Sequence, residues 1–227
     1  MYTDSMDSLA RSLDFANHRA TATPDDIRAL CAAVEQYGFH TAFVNAAYVP
    51  LATSILGTHA GVGCVISFPL GQDATATKMA AANNAVKDGA SELDIVPNLG
   101  LYLAGDTAAF LKDMTEVTES ARMFGKPVIV KFILDPGYFD TLPNAKDAMA
   151  EVARYIQQSG ADFVKIGSGM GPRTPTLEDL AVIKAAVPGM SIKVAGGIDT
   201  RKKAEAFLTA GAVRLGTSHA VSIMTET

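Results

Sequence analysis

A short pattern that recurs along the chain constrains the fold more than any other sequence feature. In "DGASELDI", "SGADFVKI" and "AGAVRLGT" a helical stretch ends at Gly-Ala, and an apolar run begins two or three residues later. This is the turn expected between a helix and the next strand of a repeating β-α unit. The chain is therefore expected to alternate strands and helices along its length.

Eight runs of strand length, rich in Val, Ile and Phe, are separated by Ala-rich segments of helical period. They occupy residues 12–15, 41–45, 61–67, 92–98, 127–134, 162–167, 191–197 and 213–217. A Thr-Pro pair at 23–24 starts one helix, which Gly38 ends, and the pair at 174–175 repeats this start. Without a polar linker, or a GxGxxG after the first strand, the pattern predicts an α/β fold, one (β/α)8 TIM barrel domain over residues 1–227.

Composition narrows the class of partner. Of the 227 residues 48% are hydrophobic, which is enough for a large core, and the net charge of -5 without a basic run argues against nucleic-acid binding. No apolar segment reaches the ~18 residues of a membrane span, and no signal-peptide pattern is present. We expect a cytoplasmic protein with a small-molecule partner. The sequence leaves open whether the protein forms a homo-oligomer. Cys31 and Cys64 are interpreted as buried thiols.

Charged side chains recur on one face of four consecutive predicted strands. Because side chains alternate along a strand, Asp94, Lys131, Lys165 and Lys193 reach one barrel interior if these faces point inward. An isolated ammonium group is costly to bury, so three such lysines need a counter-charge or a chemical purpose. Asp94 is the candidate counter-charge.

Lys165, on the central strand of the three, is the predicted nucleophile. Burial and neighbouring ammonium groups both lower a lysine pKa from its usual value of ~10.4, which favours a neutral amine. Such an amine attacks a carbonyl and forms a Schiff base, an electron sink for making or breaking the adjacent carbon–carbon bond. Lys193 is then expected to activate Lys165 electrostatically and to share a proton relay with Asp94.

Glycine-rich segments follow the last three predicted strands: "GSGMGP", "AGGIDT" and "LGTSHA". The loops at this end of a barrel form active sites, and their peptide N–H groups often hold phosphate. We therefore expect a substrate anion to contact this set of residues: Ser168, Gly169, Gly196, Gly197, Gly216 and Ser218.

Several stretches together resemble the deoxyribose-phosphate aldolases, which are class I, Schiff-base aldolases on a (β/α)8 barrel. These are "ELDIV", "VIVKFILDPG", "GADFVKIGSG", "IKVAGGIDT" and "VRLGTSHAV", and the likeness extends from about residue 13 to residue 221. The resemblance implies that Lys165 is the Schiff-base lysine, Lys193 the activating lysine and Asp94 the relay aspartate. It implies reversible cleavage of 2-deoxy-D-ribose 5-phosphate to D-glyceraldehyde 3-phosphate and acetaldehyde, without a metal or organic cofactor.

Further residues are candidates for substrate contact. Asp14 matches a family aspartate near the substrate hydroxyls, and Asn45 and Lys131 lie on the second and fifth predicted strands. Asp199 stands where the family has a basic residue, which puts a negative charge where a phosphate would be held. Arg173 is the candidate for restoring positive charge there, together with His219 if it is protonated.

These departures leave other readings open. One is a related Schiff-base aldolase for an unphosphorylated or differently charged sugar or aldehyde. Another is a non-catalytic barrel that binds a sugar phosphate, although such a module has no need of a lysine with a lowered pKa. A metal-dependent aldolase is disfavoured because the four histidines lack ligand-like spacing.

Overall fold

The strands form one closed parallel sheet. A computed structural model describes residues 2–226, with side chains from residue 6 onward. Each strand pairs with the next, and the last pairs with the first through Leu13 opposite Leu215, which closes the barrel. The eight strands are β1 (Leu13–Asn17), β2 (Thr41–Val44), β3 (Gly61–Ile66), β4 (Glu92–Ile95), β5 (Ile129–Leu134), β6 (Phe163–Ile166), β7 (Ser191–Ala195) and β8 (Arg214–Thr217). The expected (β/α)8 TIM barrel is confirmed.

Helices connect the strands and cover the outside of the barrel. They are α1 (Tyr2–Ser12), α2 (Pro24–Tyr37), α3 (Val49–Leu56), α4 (Thr75–Lys87), α5 (Leu99–Leu103), α6 (Thr107–Arg122), α7 (Ala145–Gln158), α8 (Leu177–Ala186), α9 (Arg201–Ala210) and α10 (Ala220–Thr225). Short 3-10 helices at Ala46–Tyr48 and Pro136–Tyr138 follow β2 and β5. Of the helices in residues 2–226, none combines the length and the apolar character needed to cross a bilayer.

The helix starts follow local capping chemistry. Thr23 caps α2, and Gly38 ends it with a φ of 68°, as the sequence predicts. The second expected start is two residues too early, because Thr176 rather than Thr174 is the N-cap of α8. The Thr176 hydroxyl accepts from the N–H of Asp179, and the Asp179 carboxylate accepts from the N–H of Thr176.

One strand is shorter than expected because of a proline. The apolar run of the fourth strand continues to residue 98, but β4 ends at Ile95. The N–H of Val96 still donates to the Ile66 carbonyl at 3.1 Å, whereas Pro97 has no N–H to donate. The backbone beyond this point leaves the sheet and enters the loop at the carboxyl end of the barrel.

The two faces of the sheet have different characters. One face packs against the helices and supplies the apolar core, with residues such as Leu93, Phe132 and Val164 that are fully buried. The other face points to the barrel axis, where Asp94 of β4 and Lys193 of β7, on strands that do not pair with each other, are in contact. The strands thus enclose a charged interior within an apolar shell.

Candidate active site

Two lysines and one aspartate meet near the carboxyl end of the barrel. Lys165 on β6 lies beside Lys193 on β7 in the sheet register. Asp94 reaches them from β4, and its Oδ2 lies 2.9 Å from the Nζ of Lys165 and 2.7 Å from the Nζ of Lys193. Three of the four side chains that the period-2 pattern assigns to the interior therefore meet here, with Asp94 in contact with both lysines.

A further set of charges lies around this cluster and deeper in the barrel. The Asp14 carboxylate is 2.7 Å from the Nζ of Lys193, and it also accepts from the guanidinium of Arg214. Glu92 accepts from Arg214 at 3.2 Å and from Lys131, whose Nζ is 3.4 Å from Asp94. The two lysines that contact Asp94 here, Lys193 and Lys131, are therefore themselves held by ion pairs with Asp14 and Glu92.

The charge count of the barrel interior favours one neutral lysine. The side chains described there include three carboxylates and four basic groups, namely Asp14, Glu92, Asp94, Lys131, Lys165, Lys193 and Arg214. With every group ionised the interior would hold one excess positive charge, which is costly in a medium of low dielectric constant. A neutral amine on one lysine balances the interior.

The pKa shifts identify Lys165 as that lysine. Burial lowers the pKa of Lys165 below its usual 10.5, and the nearby Lys193 and Lys131 add to this against the opposing effect of Asp94. Burial also acts on Lys193, but Asp14 and Asp94 outweigh it and raise the pKa of Lys193. Burial alone would raise the pKa of Asp94, yet the lysines hold it well below its usual 3.8. Lys193 and Asp94 stay ionised while Lys165 is the group that loses its proton most readily.

An aromatic ring supports Lys193 from the opposite side of the barrel. The Nζ of Lys193 lies 3.6 Å from the ring centroid of Phe43, a cation–π contact. The ring fits because residue 63 is glycine: a Cβ there would lie 2.4 Å from ring atoms of Phe43. Gly216 similarly makes room for the Lys193 side chain, since a Cβ at that position would lie 3.1 Å from Cε.

A cavity of about 340 Å³ opens above this cluster. Its wall includes Lys165, Lys193 and Asp94 together with these predicted contact residues: Ser168, Gly169, Gly196, Gly197, Gly216 and Ser218. Asp199, which stands where the family has a basic residue, and His219 also line it. The loops after β6, β7 and β8 therefore form one wall of the cavity, as expected.

The loop after β6 is held by its neighbours on both sides. The Asp135 carboxylate, at the end of β5, accepts from the backbone N–H of Ser168 at 2.8 Å. Gly167 has a φ of 85°, and a Cβ there would lie 2.3 Å from the carbonyl oxygen of Ala195. This residue is therefore glycine both for its backbone conformation and for the close approach of the β7 loop.

Four predicted contact residues lie away from the cavity wall described above. Asp14 and Lys131 are fully buried in ion pairs, and the Asn45 side chain makes no cap hydrogen bond at the start of its 3-10 helix. The Arg173 guanidinium is held by Asp140 and Asp179, both at 2.7 Å. Asp14, Lys131 and Arg173 are thus engaged in ion pairs away from the cavity wall, and a substrate contact of Asn45 stays a prediction.

Sequence reasoning did not single out several side chains that line the cavity. These include His18, Arg19, Phe68 and Met170. His18 and Arg19 directly follow β1, and Phe68 comes two residues after β3. Because the loops after the strands form the site in this fold, the first residues after each strand were a usable signal.

Lys165 lies at the carboxyl end of a (β/α)8 barrel, lines the cavity and has a lowered pKa. These features are those of a barrel enzyme with a reactive amine in its active site. Comparison with known proteins identifies the family. The model of the DeoC/LacD aldolase family matches residues 8–218. The chain therefore belongs to the DeoC/LacD aldolases and is a carbon–carbon lyase.

Individual relatives cover nearly the whole chain. Deoxyribose-phosphate aldolase of Thermoanaerobacter sp. (strain X514) is 35% identical over 96% of this chain and 96% of its own length. Deoxyribose-phosphate aldolase of Carboxydothermus hydrogenoformans is 38% identical over 95% and 93%. Among solved structures, the aldolase QR15 superposes with a TM-score of 0.89 at 31% identity, over 96% of this chain and 95% of its own. The tetrameric deoxyribose phosphate aldolase of Aeropyrum pernix gives a TM-score of 0.88 at 27% identity, over 98% and 92%.

Proposed function

We propose that this chain is a class I aldolase that reversibly cleaves 2-deoxy-D-ribose 5-phosphate to acetaldehyde and D-glyceraldehyde 3-phosphate through a Schiff base on Lys165. The observation that supports this most is the Lys165 amine, which lines the cavity with a lowered pKa and lies 2.9 Å from Asp94. The names of the relatives support the choice of substrate.

The reaction begins when the neutral amine of Lys165 adds to the C1 aldehyde, and uptake of one proton with loss of water gives an iminium ion. A base then removes the proton of the C3 hydroxyl and the C2–C3 bond breaks. Its electron pair forms the C1–C2 double bond of an enamine, while the C=N pair moves to nitrogen. Glyceraldehyde 3-phosphate leaves, and the remaining enamine takes a proton at C2. Water then hydrolyses this iminium ion to acetaldehyde, the neutral amine and a proton, so the water and the proton of the first step balance.

Asp94 and Lys193 provide the proton relay in this scheme. The Oδ2 atom of Asp94 is within hydrogen-bond distance of both amines, so a proton can pass between Lys165 and Lys193 through it. Lys193 also acts at a distance, because its charge lowers the pKa of Lys165. The ion pair with Asp14 keeps Lys193 charged.

We assign the phosphate end of the substrate to the loops that carry Gly169, Gly196 and Ser218, with Arg19 as the source of positive charge. Arg19 lines the cavity and is exposed over 67% of its side chain, although it also contacts Asp26 at 3.2 Å. Asp199 faces the same cavity, but Lys203 lies 2.8 Å from its carboxylate and offsets its charge. The anion site proposed here thus differs from one centred on Arg173.

A second candidate is an aldolase for an unphosphorylated sugar. The presence of Asp199 in the cavity wall favours it, because a carboxylate repels a phosphate. The ion pairs of Arg173 with Asp140 and Asp179 favour it as well, because they occupy the guanidinium group that could otherwise bind a phosphate. Both candidates use the same chemistry at Lys165 and differ only in what the outer loops bind.

The kinetics of cleavage separate the two candidates. We expect kcat/KM for deoxyribose 5-phosphate to exceed that for deoxyribose. Arg19→Gln should lower kcat/KM for the phosphate ester only. The decrease should be about 10-fold or more, because one hydrogen bond from a charged group is lost. Arg28→Gln is the matched control, because Arg28 is an exposed arginine on α2 that contacts Asp25 at 3.9 Å. Equal values for the two sugars would select the second candidate, and cleavage of neither would overturn both.

We also infer a single folding unit, a cytoplasmic setting and a homo-oligomer. The closed pairing of β8 with β1 ties the two ends of the chain together and supports one unit. Cys31 and Cys64 are buried and unpaired, in accord with a reducing compartment. The tetrameric relative supports an assembly, which light scattering of the purified protein tests directly.

A further inference from the structure

The imidazole of His18 lies in the wall of the cavity that also holds the reacting amine. His18 follows β1, and its ring packs on Phe68 with 5.3 Å between centroids. The Nζ of Lys165 lies 5.9 Å from the same Phe68 ring, and all three residues line the cavity. The two polar groups thus flank one aromatic side chain.

The hydrogen-bonding capacity of this ring is not used within the described part of the chain. The Nδ1 of His18 is shielded from solvent and has no hydrogen-bond partner among residues 2–226. A half turn about χ2 leaves the ring plane unchanged and exchanges the edge that carries Nδ1 with the opposite edge. A polar substrate group that meets the ring would therefore relieve the penalty of an unpartnered nitrogen.

The ring is suited to hydrogen bonding rather than to carrying a proton. Burial, with a contribution from Lys165, lowers the pKa of His18 to about 3. The imidazole is then neutral at physiological pH, with one nitrogen that donates and one that accepts. Its basicity is too low for an efficient general base at that pH.

The substrate offers a single unassigned hydroxyl near the reacting carbons. In the proposed function, C1 is bonded to Lys165, C2 has no oxygen, and the proton of the C3 hydroxyl leaves during bond cleavage. The phosphate is assigned to the outer loops. The hydroxyl on C4, which becomes the 2-hydroxyl of the released aldehyde, remains without a partner.

Resting on the proposed function, we propose that His18 is a specificity-determining residue that hydrogen-bonds this hydroxyl. The site then favours 2-hydroxyaldehydes as acceptors in the synthetic direction. An acceptor without the hydroxyl leaves the shielded Nδ1 of His18 unpartnered, and sites of this kind reject such analogues strongly.

The test compares two acceptors that differ only in this hydroxyl, D-glyceraldehyde and 3-hydroxypropanal, with acetaldehyde as the donor. We expect the unaltered protein to prefer glyceraldehyde by about 5- to 150-fold in kcat/KM, the effect of one buried hydrogen bond. His18→Phe, which keeps an aromatic ring but no nitrogen, should bring the ratio close to one. His18→Asn, whose amide lies near the position of Nδ1, should keep most of the preference.

His59→Phe is the matched control, because His59 is an exposed histidine in the turn before β3, outside the cavity wall. It should leave the ratio unchanged. An unchanged ratio in folded His18→Phe would overturn the role of His18 alone. Failure of the unaltered protein to form a borohydride-trapped adduct with acetaldehyde would overturn the proposed function itself, and with it this assignment.

Discussion

Replacing Lys193 with methionine should restore the proton to Lys165. The two Nζ atoms contact the same Asp94 oxygen, at 2.9 Å and 2.7 Å, which places them at most ~5.6 Å apart. Two like charges at that separation repel by about 3 kcal/mol at an effective dielectric constant of about 20. That energy corresponds to about two pKa units, so the pKa of Lys165 should rise by this amount in Lys193→Met.

The substitution leaves no buried carboxylate without a cation. Asp14 keeps Arg214, and Asp94 keeps Lys165 and Lys131. In the variant three carboxylates face three basic groups, so a charged Lys165 no longer leaves an excess positive charge in the interior. We therefore expect the Lys193→Met protein to fold, with the amine of Lys165 protonated at neutral pH.

Labelling with an amine-specific reagent at a series of pH values measures this pKa directly, with mass spectrometry to report modification of Lys165. The pH of half-maximal labelling should rise by about two units, and reactivity at pH 7 should fall, by about 100-fold at most. Lys193→Arg keeps a positive charge and should give a smaller shift. An unchanged or lower labelling pH in Lys193→Met would refute the electrostatic account.

Three further predictions concern stability. Gly63→Ala puts a Cβ 2.4 Å from the ring of Phe43, so it should lower the free energy of unfolding by about 1–3 kcal/mol, and an unchanged urea midpoint would contradict this. Glu92→Gln leaves Lys131 and Arg214 without this carboxylate, and thermal melts should show a loss of about 3–5 kcal/mol. The unfolded chain protonates His18 below pH ~6.5, but the folded chain does so only near pH ~3. From pH 7.5 to pH 5 the unaltered protein should therefore lose about 2 kcal/mol relative to His18→Phe. The same stability difference between the two proteins at both pH values would argue against a neutral ring.

The fold and the central cluster follow from local sequence rules. The Gly-Ala turns and the eight apolar runs define the β-α repeat, and period 2 assigns Asp94, Lys165 and Lys193 to the barrel interior. A buried amine next to other ammonium groups has a lowered pKa on physical grounds alone, and Lys165 shows that direction. These features depend on neighbours along one strand or on consecutive strands, which a sequence displays.

The depth of each side chain in the barrel depends on strand stagger, which a sequence does not display. Lys131 lies opposite Asp94 and Phe163 in the register, while Ile133 lies opposite Lys165. Lys131 is therefore one layer below the nucleophile and pairs with carboxylates there instead of lining the cavity. The sequence pattern alone shows Lys131 only as an inward-facing lysine on a strand, which is also how a substrate-binding lysine would look.

Contacts between distant loops were also beyond local reasoning. Arg173 pairs with Asp140, 33 residues earlier in the chain, and with Asp179 on α8. In the sequence, a basic residue after a glycine-rich turn has the pattern of an anion site. Only the fold, which brings the loops after β5 and β6 side by side, shows that carboxylates already pair with it. The cavity contact of His18 likewise depends on the packing of the β1 loop against Phe68.

Reductive trapping tests the central claim most directly. Acetaldehyde and sodium borohydride, added together to the purified protein, should attach one ethyl group, and peptide mass spectrometry should locate it on Lys165. Lys165→Met should show neither the adduct nor cleavage of deoxyribose 5-phosphate. Absence of an adduct in the unaltered protein, an adduct confined to another lysine, or full activity in Lys165→Met would contradict the account.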